Sequence, residues 1–425
     1  MIIGLTDAES ALIENNPYKA DFPLFEEHPN LAYLDSAATS QRPKDVLDAW
    51  RTFEVTMNAN PLRGLYQLSA EATAAVATAR AHIARFIGAL DAAGRPQDDA
   101  IVFTRNASEA LNLAASCLSR LAGLSPGDEV VISIMEHHSN LIPWQQVCAA
   151  TGATLTYLRL DDDFTISEEE IEKKIGERTK ICAVAHVSNV LGVENDIARI
   201  ARAAHAHGAY LVVDGAQSTP HIPVDVAAMG ADLFAFSAHK LLGPLGIGVL
   251  WGRPELLDAM PPFLTGGEMI DSVTETSAVW TAVPQKFEAG TQDAAGIHAT
   301  DAALTYLEGL GMPAIEERER LLARYLTASL DALDYVTIVG PRDGSRHIGS
   351  VAFDVSGIHP HDVASILDTR GVCIRAGHHC AQPLLTYLGW KSTCRASIAF
   401  YNDKRDIDRL IEGLDMVWGI FHGRH

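Results

Sequence analysis

Short apolar segments alternate with helix-like stretches between residues 101 and 251. The apolar segments are bounded by Gly, Asp or Pro, as buried strands are. Strands that alternate with helices are typical of a mostly parallel sheet covered by helices on both faces. The sequence therefore predicts an α/β fold. The predicted strands are Ile101–Thr104, Glu129–Ser133, Lys180–His186, Ala209–Asp214, Leu233–Ser237 and Ile247–Trp251, and the helical stretches include Ser108–Ala122 and Asp196–His207.

The pattern changes after Thr291. A long helical stretch, Ala294–Leu310, is followed by a second helix, a strand near Ile348–Asp354 and a helix near Pro360–Arg370. This order favours a smaller α+β domain. We expect residues 1–34 to pack with that domain, residues 35–295 to form the large domain, and residues 296–425 to form the small domain.

Composition excludes several classes of partner. The 425 residues include 33 Lys and Arg against 54 Asp and Glu, a net charge of −21, which argues against nucleic acid or an anionic membrane as the main partner. No apolar segment reaches the ~18–20 residues that cross a bilayer. The N-terminus lacks a basic signal region, and the six cysteines include no C-x-x-C pair. We expect a cytoplasmic protein without disulfides or a resident metal.

Two charged residues follow buried strands. Asp214 ends the segment Tyr210–Asp214, and Lys240 follows Leu233–Ser237. Ligands of open α/β sheets bind beyond the carboxyl ends of the strands. Taken singly, Asp214 is also compatible with a helix cap and Lys240 with a surface turn. Together they match the needs of pyridoxal 5'-phosphate (PLP), with a lysine for the imine and an aspartate for the pyridine nitrogen.

Three more positions lie where that sheet edge is expected. The start of a helix at Ala107 and Ser108 suits an anion such as a phosphate, although Ser108 is equally compatible with a plain helix cap. His137 follows a strand and has a flat ring suited to stacking, and Asn189 follows another strand with a side chain suited to hydrogen bonding. A metal site at His137 and His138 is disfavoured, because neighbouring side chains point apart.

The small domain carries a cysteine in a loop that contains histidines. Cys380 lies in the segment Arg375–Pro383, and a cysteine in such a loop is more reactive than one inside a helix. Arg395 is suited to an amino-acid carboxylate, with a surface salt bridge as the alternative.

These motifs, in this order, resemble the class V, fold-type I PLP enzymes, and specifically the Suf-type (group II) cysteine desulfurases. The resemblance covers roughly residues 18–418. The matching stretches are Tyr33–Ala38, Arg63-Gly64, Glu136–Asn140, Pro143–Gln145, His186–Gly192, Asp214–Gln217, Ser237–Lys240, Gly266–Ile270, Phe287–Thr291 and Arg375–Cys380.

The resemblance implies a role for each candidate residue. Lys240 would bind PLP covalently, Asp214 would pair with its pyridine nitrogen, and Cys380 would accept sulfur. The remaining implied roles are Gln217 near the phenolic oxygen, His137 stacked on the ring and relaying protons, Ala107, Ser108, Ser237 and His239 on the phosphate, Thr291 on the phosphate of a neighbouring subunit in a homodimer, and Asn189, Arg395 and Arg375 around the substrate.

The implied reaction converts L-cysteine to L-alanine and leaves a persulfide on Cys380. Pro383 follows after two intervening residues and shows no insertion, so we expect a short loop that keeps the persulfide recessed. A SufE-like or SufU-like acceptor protein would then come to the enzyme and pass the sulfur on to iron–sulfur cluster assembly.

Some positions depart from the family pattern, and rival functions share most of its residues. Asn106-Ala107-Ser108 stands where Gly-Thr-Thr is more common, Gln292 where Pro is common, and Tyr66 where His is common. The first departure concerns side-chain contacts to the phosphate.

The rival functions are a selenocysteine or cysteine sulfinate lyase, another class V enzyme such as an aminotransferase or epimerase, and a scaffold without catalysis.

Overall fold

The computed structural model describes residues 5–62 and 64–423, so Arg63 of the Arg63-Gly64 motif lies outside the described residues. In chain order, the strands are β1 (Ala32–Tyr33), β2 (Ile101–Thr104), β3 (Glu129–Ser133), β4 (Thr154–Leu158), β5 (Thr179–Ala185), β6 (Tyr210–Asp214), β7 (Leu233–Ser237), β8 (Gly248–Gly252), β9 (Ile270–Val273), β10 (Ala278–Trp280), β11 (Val336–Val339), β12 (Ser350–Val355), β13 (Val372–Cys373), β14 (Arg375–Gly377) and β15 (Thr393–Ser397).

Helices separate most of these strands. They are α1 (Asp7–Glu14), α2 (Pro23–Glu27), α3 (Lys44–Thr56), α4 (Gln67–Phe86), α5 (Ala107–Ala122), α6 (Ile142–Thr151), α7 (Glu168–Lys174), α8 (Ile197–Ala206), α9 (Val226–Met229), α10 (Pro254–Ala259), α11 (Ala294–Leu310), α12 (Met312–Asp331), α13 (Pro360–Asp368), α14 (Gln382–Tyr387) and α15 (Lys404–His422). None of the helices in the described ranges is long and apolar enough to cross a membrane.

A seven-stranded sheet forms the centre of the larger part of the molecule. Its strand order is β2-β8-β7-β6-β5-β3-β4. β8 pairs antiparallel with both β2 and β7, and the other pairs are parallel. Strands β6, β7 and β8 are almost entirely buried, because helices cover both faces. The predicted α/β fold is therefore confirmed, with one strand reversed.

A smaller antiparallel sheet, ordered β11-β12-β15-β14, holds the C-terminal part together. It packs with α12, α13 and α15 around a second apolar core, and Leu5, Ile13 and Leu34 from the N-terminal segment join that core. A two-stranded parallel pair, β1 with β13, ties the N-terminal segment to the same region. The domain boundaries at residues 34 and 295 stay a prediction.

Candidate active site

The carboxyl ends of the central strands meet at one edge of the sheet and border a cavity of about 290 Å³. Asp214 is the last residue of β6, Ser237 is the last of β7, and Lys240 lies in the single turn that follows β7. The cavity brings together every predicted site residue except Thr291, namely Ala107, Ser108, His137, Asn189, Asp214, Gln217, Ser237, His239, Lys240, Arg375, Cys380 and Arg395.

Asp214 and Lys240 face the same cavity with opposite charges. Asp214 is buried, and burial raises its pKa although the backbone N–H of Ala216 donates to Oδ1 at 3.0 Å. Lys240 keeps some exposed surface toward the cavity, but desolvation lowers its pKa to about 8 against the opposing effect of Asp214. A lysine with this pKa is partly unprotonated near neutral pH, as a nucleophilic amine must be.

His137 carries a neutral imidazole. Desolvation and the charge of Lys240 lower its pKa to about 3. Ring atom Nδ1 accepts the backbone N–H of Ser139 at 3.1 Å, so the ring proton lies on Nε2. A neutral ring of this kind can both stack on a flat cofactor and exchange a proton.

Glu136 holds the turn that carries His137, and sequence reasoning assigned no role to it. The carboxylate accepts hydrogen bonds from the side chains of Ser133 and Asn140 at 2.5 and 2.6 Å and from the backbone of Ala185 at 2.9 Å. Desolvation raises its pKa to about 8. These bonds join β3, β5 and the turn, which orients the residue next to Glu136.

The first turn of α5 forms the predicted phosphate region. The helix is capped by Asn106, whose Oδ1 accepts the backbone N–H of Glu109 at 2.9 Å. The interpretation of Ser108 as the cap is therefore wrong, because Ser108 lies inside the helix and its hydroxyl bonds to that of Ser139 at 2.5 Å. The hydroxyl of Ser237 accepts the backbone N–H of Ala107 at 2.7 Å. The positive end of the helix dipole suits an anion here.

Gly248 allows this turn to reach the sheet. A Cβ at Gly248 in β8 would lie 2.3 Å from the carbonyl carbon of Asn106. Only a residue without a side chain permits that approach. Gly248 lies in an apolar run, and the sequence alone does not show why a glycine is needed there.

Cys380 lies in a tight loop between β14 and α14. His379 and Cys380 have φ values of 51° and 55°, a left-handed conformation that is uncommon for residues other than glycine. The Asn189 side chain donates to the carbonyl of His379 at 2.6 Å, and the ring of His379 donates from Nε2 to the Thr393 carbonyl at 3.1 Å. These contacts hold the strained loop against both sheets.

The thiol of Cys380 faces basic groups. Cys380 is close enough to Lys240 and Arg395 to interact electrostatically with both. The residue is exposed in the single chain, although it lines the cavity. The described chain thus does not bury this residue, and the expected recess stays a prediction.

Arg395 is buried at the base of the cavity. Its Nη1 donates to the Asn189 carbonyl at 2.9 Å and its Nη2 donates to Asp35 at 3.2 Å, whereas its buried Nε has no hydrogen-bond partner among the described residues. Arg375 also donates to Asp35, at 3.0 Å from Nη2. Asp35 had no assigned role in the sequence, although it lies inside the matching stretch Tyr33–Ala38.

Thr291 lies outside this cavity. It is exposed and borders a second depression, together with residues of the loop that follows β2.

Within residues 5–62 and 64–423, no group of three or more His, Cys, Asp or Glu side chains is placed to hold a metal ion.

Comparison with known proteins identifies the family. The model of the family described as "Aminotransferase class-V" matches residues 32–410. The chain belongs to this family. Enzymes of the family depend on PLP, which confirms the cofactor and the enzyme class predicted from the sequence.

Relatives with assigned names are cysteine desulfurases. The chain is 48% identical to a probable cysteine desulfurase of Halalkalibacterium halodurans, with 93% of this chain and 95% of that protein covered. It is 46% identical to a cysteine desulfurase of Dickeya dadantii, with 94% and 95% covered. The predicted activity agrees with these names.

Solved structures show the same fold. The apo cysteine desulfurase of Thermococcus onnurineus NA1 is 39% identical and gives a TM-score of 0.89, with 95% of this chain and 99% of that chain covered. The cysteine desulfurase CsdA of Escherichia coli is 37% identical and gives 0.87, with 95% and 98% covered.

The residues of the cavity fit PLP. The cavity offers an amine at Lys240, a buried carboxylate at Asp214 and the start of α5 for the phosphate. The ring of His239 also has a buried Nδ1 without a partner among the described side chains. A buried polar atom of this kind calls for a ligand or water that satisfies it.

Proposed function

We propose that this protein is an L-cysteine desulfurase of the Suf-type group, with PLP bound at Lys240 and sulfur accepted by Cys380. One observation carries the proposal: a cysteine thiol, a lysine of lowered pKa and a buried arginine border a single cavity. An aminotransferase has no need of the cysteine.

The cofactor, when bound, supplies an electron sink for the bonds around the substrate Cα. Asp214 would keep the pyridine nitrogen protonated, and Gln217, whose Nε2 donates to the Ala37 carbonyl at 2.9 Å, would approach the phenolic oxygen. Ala107, Ser108, Ser237 and His239 would hold the phosphate, in a site built on the helix start. The departure at Asn106 is compatible with this site, since Asn106 caps the helix.

Arg395 would take the substrate carboxylate through its free Nε, with Asn189 and Arg375 beside it. Lys240 would then remove and return a proton at the substrate Cα. The neutral ring of His137 would relay protons along the same face.

Cys380 would attack the substrate sulfur as a thiolate, the nucleophilic form of cysteine. One S–S bond forms at Cys380 while the Cβ–S bond of the substrate breaks. The sulfur is oxidised and Cβ is reduced and protonated to give alanine, so no external oxidant is needed.

The bonds of Asn189 and His379 to the loop support the expectation that the persulfide does not travel far. An acceptor protein, SufE-like or SufU-like, would have to reach Cys380, and iron–sulfur cluster assembly is the destination we propose for the sulfur. Thr291, exposed outside the cavity, would reach the phosphate of a second protomer in a homodimer. The enzyme would act in the cytoplasm, with residues 35–295 binding PLP and residues 296–425 presenting Cys380.

The test measures two products of one incubation. The PLP-loaded protein is mixed with L-cysteine, alanine is quantified, and intact mass is recorded. We expect alanine and an added sulfur atom that both disappear in Cys380→Ser but persist in Cys373→Ser, a cysteine that does not line the cavity. Alanine formation that is unchanged in Cys380→Ser would refute the persulfide route.

A further inference from the structure

Two serine hydroxyls from different segments meet at the start of α5. Oγ of Ser108, in the first turn of α5, lies 2.5 Å from Oγ of Ser139, in the turn that follows β3. Both residues line the cavity of the candidate active site. Each hydroxyl carries one proton. One proton therefore joins the two oxygens, and the pair keeps a single O–H for a ligand.

The backbone at the same helix start leaves an N–H for a ligand as well. The N–H groups of Ala107 and Glu109 donate to the side chains of Ser237 and Asn106. The N–H of Ser108, by contrast, has no acceptor among the described residues. N–H groups at the start of a helix favour an anion. Ser108 can thus offer an N–H and an O–H to one anion when its hydroxyl proton points toward the cavity.

Ser139 can set the direction of that proton. When the hydroxyl of Ser139 donates to Oγ of Ser108, the proton of Ser108 is free for a ligand, whereas the reverse direction uses this proton within the pair. A hydroxyl that accepts a hydrogen bond is also a stronger donor, because successive hydrogen bonds polarise one another. The position of Ser139 has its own support, since its backbone N–H donates to Nδ1 of His137 at 3.1 Å.

We propose that Ser139 is a positioning residue for the cofactor phosphate, which donates its proton to Ser108 and so directs the hydroxyl of Ser108 at the phosphate. The proposal rests on the proposed function, because it takes the start of α5 as the phosphate site. It assigns the side chain of Ser139 to the phosphate end of the cofactor. The ring end is left to His137, which the backbone of Ser139 holds.

The test compares two ligands that differ by the phosphate. The full-length protein is freed of PLP and titrated with PLP or with pyridoxal, and absorbance gives each Kd. Ser139→Ala removes the hydroxyl but keeps the N–H that holds His137. We expect this variant to weaken PLP by about fivefold and pyridoxal by less than about twofold, since hydrogen bonds that serve a charged group are the stronger ones. Calorimetry with inorganic phosphate should show the same loss as PLP.

A double variant tests the route through Ser108. If Ser139 acts only by directing Ser108, then Ser108→Ala combined with Ser139→Ala should bind PLP as Ser108→Ala alone does. The control is Ser116→Ala, on the same helix but not in the cavity wall, which should bind all three ligands as the unmodified protein does.

Four results would overturn the proposal. They are additive losses in the double variant, equal losses for PLP and pyridoxal in Ser139→Ala, a PLP affinity in Ser139→Ala within twofold of the unmodified protein, and an equal loss in Ser116→Ala. If Ser139→Ala does not fold, Ser139→Cys decides, because its thiol is a weak donor and should give the same selective loss.

These binding measurements are separate from the activity. The selective loss of phosphate affinity, in a protein that forms no alanine from L-cysteine, would refute the proposed function and leave the role of Ser139 standing. Alanine formation, together with an unchanged phosphate affinity in Ser139→Ala, would refute the role of Ser139 alone.

Discussion

The backbone N–H of His138 donates to the carbonyl oxygen of Cys380 at 2.7 Å. This bond joins the turn after β3 in the large sheet to the loop of the small sheet. The backbone N–H of Gln382 returns the contact by donating to Nε2 of His138 at 3.2 Å. The candidate sulfur acceptor is thus held by the same turn that presents His137 to the cavity.

Asn189 supplies the second tether of that loop. Asn189→Ala removes the bond to the His379 carbonyl, so the left-handed residues relax more often. We expect the backbone N–H of Ala381, which donates to the His378 carbonyl at 2.9 Å, to exchange with solvent deuterium at least about threefold faster in this variant, because local opening sets the rate of amide exchange. Mass spectrometry of the deuterated peptide measures the rate. Asn112→Ala, on the exposed face of α5, is the control, and equal rates in all three proteins would contradict the tether.

Gly248 governs the approach of the α5 start to the sheet. In Gly248→Ala the new methyl group clashes with backbone atoms of Asn106, which cannot shift without displacing the start of α5. We expect PLP retention after dialysis to fall by about tenfold or more, since a displacement of this kind disturbs the helix-end anion site. Absorbance of bound PLP measures it. Gly176→Ala, where a Cβ meets nothing within 4 Å, should retain PLP normally, and full retention in Gly248→Ala would be inconsistent with our description.

His82 links α4 to α11 through two carboxylates. It bonds to Asp301 at 2.7 Å and to Glu308 at 3.0 Å, and the bond to Asp301 is the main cause that raises its pKa above 6.5. Because the pKa of His82 is raised in the folded state, protonation of His82 stabilises the folded protein. This stabilisation is complete below about pH 6.5 and is lost as the pH rises through the folded-state pKa. His82→Gln should lower Tm at pH 6 by roughly 1–2 °C more than at pH 9.

Scanning calorimetry at the two pH values provides that comparison. His207→Gln replaces an exposed histidine of the same chain and should show no such dependence. A Tm difference between His82→Gln and the unmodified protein that is equal at pH 6 and pH 9 would show that the charged pair does not contribute.

Glu288 and Arg80 form a buried ion pair. Arg80 donates from Nη1 and Nη2 to the two carboxylate oxygens at 2.7 and 2.9 Å, and Glu288 also accepts the backbone N–H of Phe103 at 2.7 Å. Glu288→Gln leaves the guanidinium buried without its counter-charge, which costs about 3–5 kcal/mol in such cases. We expect a clear fall in the urea midpoint. Asp48→Asn, in the exposed pair with Lys44, should hardly change the urea midpoint. Similar urea midpoints in both variants would refute the contribution of the buried ion pair to stability.

Local patterns in the sequence predicted most of the central sheet. Ile101–Thr104, Glu129–Ser133 and Leu233–Ser237 are strands at the predicted residues, because apolar runs between turn residues mark buried strands whatever their surroundings. The direction of β8 was not predicted, since an apolar run carries no information about its orientation. The charged residues Asp214, at the end of β6, and Lys240, after β7, pointed to the cavity because parallel strands present their carboxyl ends at one edge.

The contacts that organise the site escaped prediction for a different reason. Asp35 belongs to no periodic segment, and its two arginine partners lie 340 and 360 positions further along the chain. Glu136 resembles any polar residue of a turn until its burial is known. Such roles depend on tertiary contacts, which one sequence without a fold does not specify.

The cavity can form only when segments from almost the whole chain have folded together. Its walls come from segments as far apart as Ala37 and Arg395, so no short fragment of the chain can complete them. The appearance of cofactor colour during refolding should therefore coincide with the last step in which the N-terminal segment, the central sheet and the small sheet come into register. Truncations that retain Lys240 but lack β15 should remain colourless, even where their secondary structure forms.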